Sequence, residues 1–261
     1  MSAIFETDHL SVSYNGGAVL HGASVSLGKG QVIGIVGESG SGKTTLVRAA
    51  LDFLGQGGEV EGGSIRFAGK DPLALPPKER RAFLSGIAGL VPQSPQHSFS
   101  PVRTIGSQFS EVIRQKEGSS PEEARECAAS LLGKLGFSHP EEVLDSYPFE
   151  LSGGMAQRAS IGLALAGKPQ ILFADEPTSA LDTVSQAQVV EELLRVNREL
   201  GVSIVAVSHN IAVLAHMATY LYVLKDGRVV EEGPARRVVS GPMHPYTSEL
   251  VSAIPRIGGD R

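Results

Sequence analysis

The sequence predicts an α/β fold built on a parallel sheet, opened by a β-rich segment and interrupted by a helical one. Short apolar runs bounded by glycines or acids, namely Gln31 to Val36, Ile171 to Ala174 and Ser203 to Val207, read as buried strands. Between the last two, Val189, Leu193, Val196 and Leu200 recur at helical spacing, and Gly201 closes the run. Strand, helix and strand in that order imply a right-handed crossover and a parallel sheet with helices on its faces.

Taken in order, Ile4 to Ser13 and Ala18 to Leu27 are rich in β-formers and flank Asn15-Gly16-Gly17, a turn sequence. After the strand Gln31 to Val36, a helix-forming run covers Thr45 to Leu54. Gly62-Gly63 introduces a further strand, Ser64 to Ala68, and the stretch with Pro72, Pro76 and Pro77 reads as loop. Residues 104–145 read as helical. Ser120-Pro121-Glu122-Glu123 places Ser at an N-cap, Pro at the first helical position and Glu at the third, a capping box. Ala124, Ala128, Leu131 and Leu135 then form one apolar stripe. The expected division is a core of 1–93 and 151–232, a helical segment 94–150, and a tail 233–261 with two Pro-containing turns.

Composition narrows the class. A 41% hydrophobic and 20% charged chain is ordinary for a globular protein. With 23 Lys+Arg against 28 Asp+Glu, the net charge of −5 argues against holding nucleic acid electrostatically. Cys127 is the single cysteine, so no internal disulfide forms, and no Cys/His cluster has zinc spacing. The cell interior is the expected compartment, since no secretory pattern opens the chain. Uncharged apolar runs such as Ile161 to Ala166 fall far short of the ~18 residues a membrane helix needs.

Three stretches carry phosphate chemistry. Gly37-Glu38-Ser39-Gly40-Ser41-Gly42-Lys43-Thr44 has the spacing of a phosphate-binding loop between a strand and a helix. Its glycines let backbone N–H groups close around the β- and γ-phosphates, and the helix N-terminus adds its positive end. Lys43 neutralises the phosphates and the Thr44 hydroxyl suits Mg²⁺. Ile171-Leu172-Phe173-Ala174-Asp175-Glu176 delivers two acids to a strand end, where ligands collect in parallel sheets. Asp175 could complete the Mg²⁺ shell, and Glu176 could polarise an attacking water. Leu151-Ser152-Gly153-Gly154-Met155-Ala156-Gln157-Arg158 opens a helix with exposed N–H groups, a second anion site. One monomer has no use for two triphosphate surfaces, whereas two monomers packed head-to-tail would sandwich each nucleotide between them.

In this combination the chain resembles the ATP-binding subunit of ATP-binding-cassette (ABC) transporters, from about residue 4 to 255. The resemblance implies a P-loop NTPase (RecA-like) core with an N-terminal antiparallel β subdomain and an inserted helical subdomain, binding ATP and Mg²⁺. It implies phosphate binding by Gly37, Ser39, Gly40, Ser41, Gly42, Lys43, Thr44 and Thr45, and metal binding by Thr44, Gln93 and Asp175. Tyr14 matches the aromatic that stacks on adenine, though a Tyr in a strand by itself reads as packing. Gln93, after Gly89-Leu90-Val91-Pro92, matches the Q-loop glutamine, and Ser179-Ala180-Leu181-Asp182 the D-loop. His209 matches the switch histidine, an assignment a lone His would not support. With Glu176, His209 and Gln93 as catalytic residues and Ser152, Gly153, Gly154 and Asp182 across a dimer, a hydrolysing site is expected. Met155 and Ser208 depart from commoner family residues, Gln and Thr, without removing a needed group.

Tyr147 to Met155 and Gly241-Pro242-Met243-His244-Pro245-Tyr246-Thr247, followed by Ala253-Ile254-Pro255, are similar to the peptide/nickel importer subfamily. Phe99 and Ser100 depart from that subfamily's Ser-Leu-Asn-Pro segment. The subfamily implies two membrane permeases, a second and non-identical cassette, an extracytoplasmic binding protein acting indirectly, and a peripheral place on the cytoplasmic face of the inner membrane. Peptide, nickel and other metal-chelate cargo all stay open, because a cassette does not touch the cargo. The alternative is an ATPase of a soluble complex, such as a phosphonate carbon–phosphorus lyase accessory cassette.

Overall fold

The computed structural model describes residues 3–179 and 181–254, with the backbone alone at Gln96 and His97. In chain order the elements are β1 (Ala3–Tyr14), β2 (Gly17–Gly28), β3 (Val32–Val36), α1 (Lys43–Ala50), β4 (Gly58–Phe67), α2 (Pro77–Ile87), β5 (Ala88–Val91), α3 (Ile105–Glu117), α4 (Pro121–Lys134), α5 (Pro140–Asp145), α6 (Gly153–Ala166), β6 (Ile171–Asp175), α7 (Thr183–Leu200), β7 (Ser203–Ser208), α8 (Ile211–Met217), β8 (Tyr220–Lys225), β9 (Arg228–Pro234), α9 (Ala235–Ser240) and α10 (Pro245–Ser252). They fall into two compact units. One comprises the chain up to Pro76 together with the part from Ser203 onward, and the other is Pro77–Val202.

The first unit holds two sheets. β1 lies between β2 and β4, antiparallel to both. β3 runs parallel to β7 on one side and to β8 on the other, and β9 closes the row antiparallel to β8. All residues of β3 and β7 are buried, so their unbroken apolar runs are those of strands covered on both faces. The structure lengthens β4 beyond the expected Ser64 start. Gly62-Gly63 does not precede this strand but lies within it: the β1–β4 register shifts between Asp8 and Ser11, and Gly63 sits at φ +83 facing the Asp8 and His9 backbone. A Cβ there would fall 2.4 Å from the His9 carbonyl oxygen, so Gly63 gives the room needed opposite a bulge in β1, where Asp8 to Ser11 faces only Ser64 to Gly62 and His9 turns to φ 48. Helix α1 stops at Ala50, short of Leu54, because Asp52 turns into the left-handed region at φ 54.

In the second unit β5 and β6 pair in parallel among α2–α7. The capping box at α4 is present: Ser120 Oγ accepts the Glu123 N–H at 3.2 Å, and Glu123 Oε2 accepts the Ser120 N–H at 2.8 Å. Ala124, Ala128 and Leu135 are buried as expected, but Leu132 is the buried leucine and Leu131 is half-buried. Val189, Leu193 and Val196 bury one face of α7, while Leu200 at its end is exposed, and Gly201 caps it at φ 67. The segment read as loop around Pro72–Pro77 contains the start of α2, since Pro77 opens that helix, where a missing N–H costs nothing.

Burial also places one carboxylate where the sequence gives no warning. Glu192 on α7 is 8% exposed, and Arg158 Nη1 on α6 lies 3.9 Å from its Oε1. Burial pushes the Glu192 carboxyl up to about 7 against the opposing pull of Arg158 and Arg195. The folded state thus holds this proton more tightly than the unfolded chain, and its contribution to stability is lost as pH rises from about 4.5 through 7. Glu192→Gln is expected to raise the melting temperature by about 3 °C at pH 8, with solvent screening limiting the gain to the order of 1 kcal/mol. The difference should vanish near the bottom of that window. An equal difference at both ends, measured by calorimetry, would contradict the assignment.

Candidate nucleotide site

The loop between β3 and α1 has the form its glycines require. Gly40 and Gly42 lie at φ +83 and +101, and Gly42 is itself the residue before the helix, with no side-chain cap. At Gly37 a Cβ would fall 2.2 Å from the Leu224 carbonyl oxygen, so the strand-to-loop step admits no side chain. Lys43 is 4% exposed, and its Nζ donates to the carbonyls of Gly37 (2.8 Å) and Glu38 (2.7 Å) and more weakly to Ser41 Oγ (3.4 Å). A buried ammonium enclosed by its own loop at a helix N-terminus is donor chemistry matched to a polyphosphate. Thr44 and Thr45 follow, both half-buried in the first turn of α1. Ser39 is exposed on the loop.

Neighbouring elements brace this loop. The Gly227 N–H, in the β8–β9 turn, donates to the Ser41 carbonyl at 3.0 Å, and the Gly227 carbonyl accepts from His21 of β2 at 2.9 Å. The Glu38 N–H donates to the Tyr246 hydroxyl of α10 at 2.8 Å. Sequence reasoning passed over Tyr246 as anything beyond a family mark. Tyr14 ends β1, half-buried, with its hydroxyl donating to the Leu54 carbonyl at 3.0 Å. His209 is exposed after β7; the turn is held by the Asn210 N–H on Ser208 Oγ (3.0 Å), and Asn210 caps α8 through Ala212 and Val213.

In the second unit, β6 ends at Asp175, which is 7% exposed. Glu176 follows, half-buried, at φ +48, a region that costs a branched or long side chain and recurs where function fixes a conformation. The Ser179 N–H and hydroxyl both donate to the Glu176 carbonyl, at 3.2 and 3.1 Å, and hold this turn. Gln93 Nε2 donates to Glu176 Oε2 at 3.3 Å, so two predicted catalytic residues 83 positions apart meet directly. Asp182 caps α7: its Oδ1 accepts the N–H groups of Val184 and Ser185 and its Oδ2 the Ser185 hydroxyl, at 2.6–3.0 Å. The Ser185 hydroxyl leads the causes that hold the Asp182 carboxyl below the usual range. Ser152 caps α6 by accepting the Met155 N–H at 3.3 Å, leaving Gly153 exposed and Gly154 half-exposed at the helix start. Ala180 of the D-loop and the tail from Pro255 lie outside the described residues.

Comparison with known proteins accords with this geometry. Residues 20–179 match the ABC transporter family, and residues 230–261 match the C-terminal region of oligopeptide/dipeptide transporters. DppD of Escherichia coli (strain K12), a dipeptide transport ATP-binding protein, is 37% identical over 99% of this chain and 80% of its own length. AmiE of Streptococcus pneumoniae serotype 4, an oligopeptide transport ATP-binding protein, is 37% identical over 93% of this chain and 68% of its own. Among solved structures, cbiO1 from Clostridium perfringens, part of the ABC transporter complex cbiONQ, is similar with a TM-score of 0.81 and 25% identity over 92% of each chain. The cassette MJ0796, a dimer in a post-hydrolysis state bound to ADP and Pi, has a TM-score of 0.77 and 28% identity over 89% of this chain and 99% of that one.

The chain belongs to the ABC transporter family, and it is an ABC-type ATPase subunit with the α/β core the sequence predicts. Within that family it carries the oligopeptide/dipeptide type of C-terminal region, which bears out the transporter reading over that of a soluble complex. No helix among the described residues is long and apolar enough to cross a membrane.

Proposed function

We propose that this chain hydrolyses ATP to drive a peptide importer. It would act on the cytoplasmic face of the membrane with two permeases and a second, non-identical cassette, supplied by an extracytoplasmic binding protein. The observation that carries this reading is one chain combining a glycine-lined phosphate loop with a peptide-transporter tail whose Tyr246 bonds that loop.

Lys43 and the loop N–H groups bind the β- and γ-phosphates of ATP, with the side-chain oxygens of Ser39, Ser41 and Thr45 available around them. Tyr14 offers a ring face to the adenine. Thr44, Gln93 and Asp175 would offer hydroxyl, amide and carboxylate oxygens, the hard donors that suit Mg²⁺. Mg²⁺, when bound there, neutralises charge on the β,γ-phosphates. Glu176, oriented by Gln93, accepts a proton from the water that attacks the γ-phosphorus as the bond to the β,γ-bridging oxygen breaks. His209 contacts the γ-phosphate. Ser152, Gly153 and Gly154 of one cassette, with Asp182, complete the site of the other in a head-to-tail dimer.

Cells carrying Glu176→Gln in place of the native chain should lose uptake of radiolabelled di- and oligopeptides. Unchanged peptide uptake with loss of nickel-chelate uptake would reassign the cargo, and loss of neither would overturn the importer role.

A further inference from the structure

The tail helix reaches the phosphate loop through one bond whose position gives it more than a packing role. We propose that Tyr246 is a positioning residue for nucleotide binding, holding the Gly37–Glu38 peptide in the orientation that seats Lys43. The proposal rests on reading this loop as the ATP site.

A single peptide plane carries both contacts. Its N–H, from Glu38, donates to the Tyr246 hydroxyl at 2.8 Å, and its carbonyl, from Gly37, accepts Lys43 Nζ at 2.8 Å. Because the peptide is planar, fixing the N–H on one side fixes where the carbonyl points on the other. The next carbonyl, of Glu38, accepts both Lys43 Nζ and the Ser41 N–H, so the same stretch of backbone sets the ammonium and the turn. Gly37 itself has no side chain to limit rotation at this step, which makes an outside anchor effective.

Tyr246 is in turn firmly seated. It is 3% exposed, and Lys225 Nζ stands 4.7 Å from its ring centroid. Burial raises its phenol above the ordinary range, so the hydroxyl stays neutral and protonated at physiological pH. The loop leading into α10 hangs on Glu231, which is 6% exposed. Its carboxylate accepts the Met243 N–H at 3.1 Å, the His244 N–H at 3.0 Å and Arg237 Nη1 at 2.6 Å. Burial works to raise this carboxyl, but those donors outweigh it and hold it below the usual range. The chain of contacts is therefore Arg237, Glu231, the 241–244 loop, Tyr246, the Gly37–Glu38 peptide and Lys43. Through it, the tail sets the loop that the rest of the cassette uses.

The test compares full-length wild type, Tyr246→Phe and the control Tyr220→Phe, whose lost hydroxyl faces Glu232 on β9. The probes are a fluorescent ATP analogue with Mg²⁺, basal hydrolysis, thermal melting and hydrogen exchange of the Glu38 amide. Losing one neutral hydrogen bond predicts about a threefold to tenfold rise in Kd and KM for Tyr246→Phe, with kcat at saturation little changed and Glu38 exchange accelerated. Tyr220→Phe should leave all of these unchanged. A lowered melting temperature with unaltered Kd, KM and Glu38 exchange would mean a structural staple only and would overturn the proposal. Should Tyr246→Phe fail to fold, Glu231→Gln, which loosens the seat without touching Tyr246, is expected to raise KM by a smaller factor, and an unchanged KM there overturns it as well. Wild-type protein that binds no analogue refutes the ATP site itself, a separate result from normal wild-type binding that Tyr246→Phe leaves intact.

Discussion

Glu176→Gln is expected to lower steady-state ATP hydrolysis by about 10²–10⁴-fold while ATP still binds. The substitution keeps the shape of the side chain and an oxygen able to accept the Gln93 amide, so the contact at 3.3 Å is retained. What it removes is the carboxylate proposed to take the proton from the attacking water. The neighbouring carboxylate, Asp175, is buried at the strand end and proposed for Mg²⁺, so it is not expected to substitute for the lost base. The backbone at Glu176, φ +48 with Ser179 bonded twice to its carbonyl, is held locally, and the Gln93 amide meets its side chain. Phosphate-release kinetics measure the loss, and isothermal calorimetry with Mg-ATP measures the binding. Turnover at the wild-type rate would remove Glu176 from the role of base.

Lys43→Ala should instead strike binding. A charge-assisted contact contributes about 1.5–3 kcal/mol, which corresponds to roughly a tenfold to hundredfold loss of ATP affinity. The effect has two sources that act in the same direction. The ammonium is lost from the phosphates, and the Gly37 and Glu38 carbonyls lose the donor that now gathers them. Calorimetry reads the affinity, and a melting curve on the same sample confirms the fold. Unchanged affinity would place the phosphates elsewhere. The two variants thus separate chemistry from binding: one gives a bound and idle enzyme, the other an enzyme that scarcely binds.

Much of this site is legible in the sequence, for physical reasons that differ by element. A phosphate loop depends on backbone shape, and backbone shape depends on glycine spacing, so Gly37, Gly40 and Gly42 announce themselves. Buried parallel strands need unbroken apolar runs, which made β3, β6 and β7 readable from composition alone. Ser120 and Glu123 name their helix start because a capping box is local chemistry. The failures came where one residue type serves two purposes. Pro77 breaks a strand or begins a helix, and here it begins α2. Gly62-Gly63 marks a strand boundary or a close backbone approach, and here it lies inside β4 opposite a bulge in β1. Leu131 and Leu132 both fit a helical stripe to within one position, and only packing decides that Leu132 is inside.

Contacts between distant positions were not legible at all. Glu38 and Tyr246 stand 208 residues apart, and no spacing rule connects them. The Gln93–Glu176 bond spans 83 residues; Glu176 is read from its strand end and Gln93 only from the family resemblance, and nothing in the sequence joins the two. Glu192 sits beside the Val189–Leu193–Val196 stripe, where a solvated carboxylate would be the ordinary expectation, and its burial beside Arg158 emerges only in three dimensions.

The central claim is that this chain powers a membrane importer, and the most direct test is a capture experiment. Tagged Glu176→Gln protein, held with Mg-ATP, would be recovered from detergent-treated native membranes and its companions identified by mass spectrometry. The account predicts two permease subunits and a second cassette, with the binding protein carried along and then screened for peptide ligands. Recovery of soluble enzymes without any membrane protein would contradict it and reinstate the carbon–phosphorus lyase accessory reading.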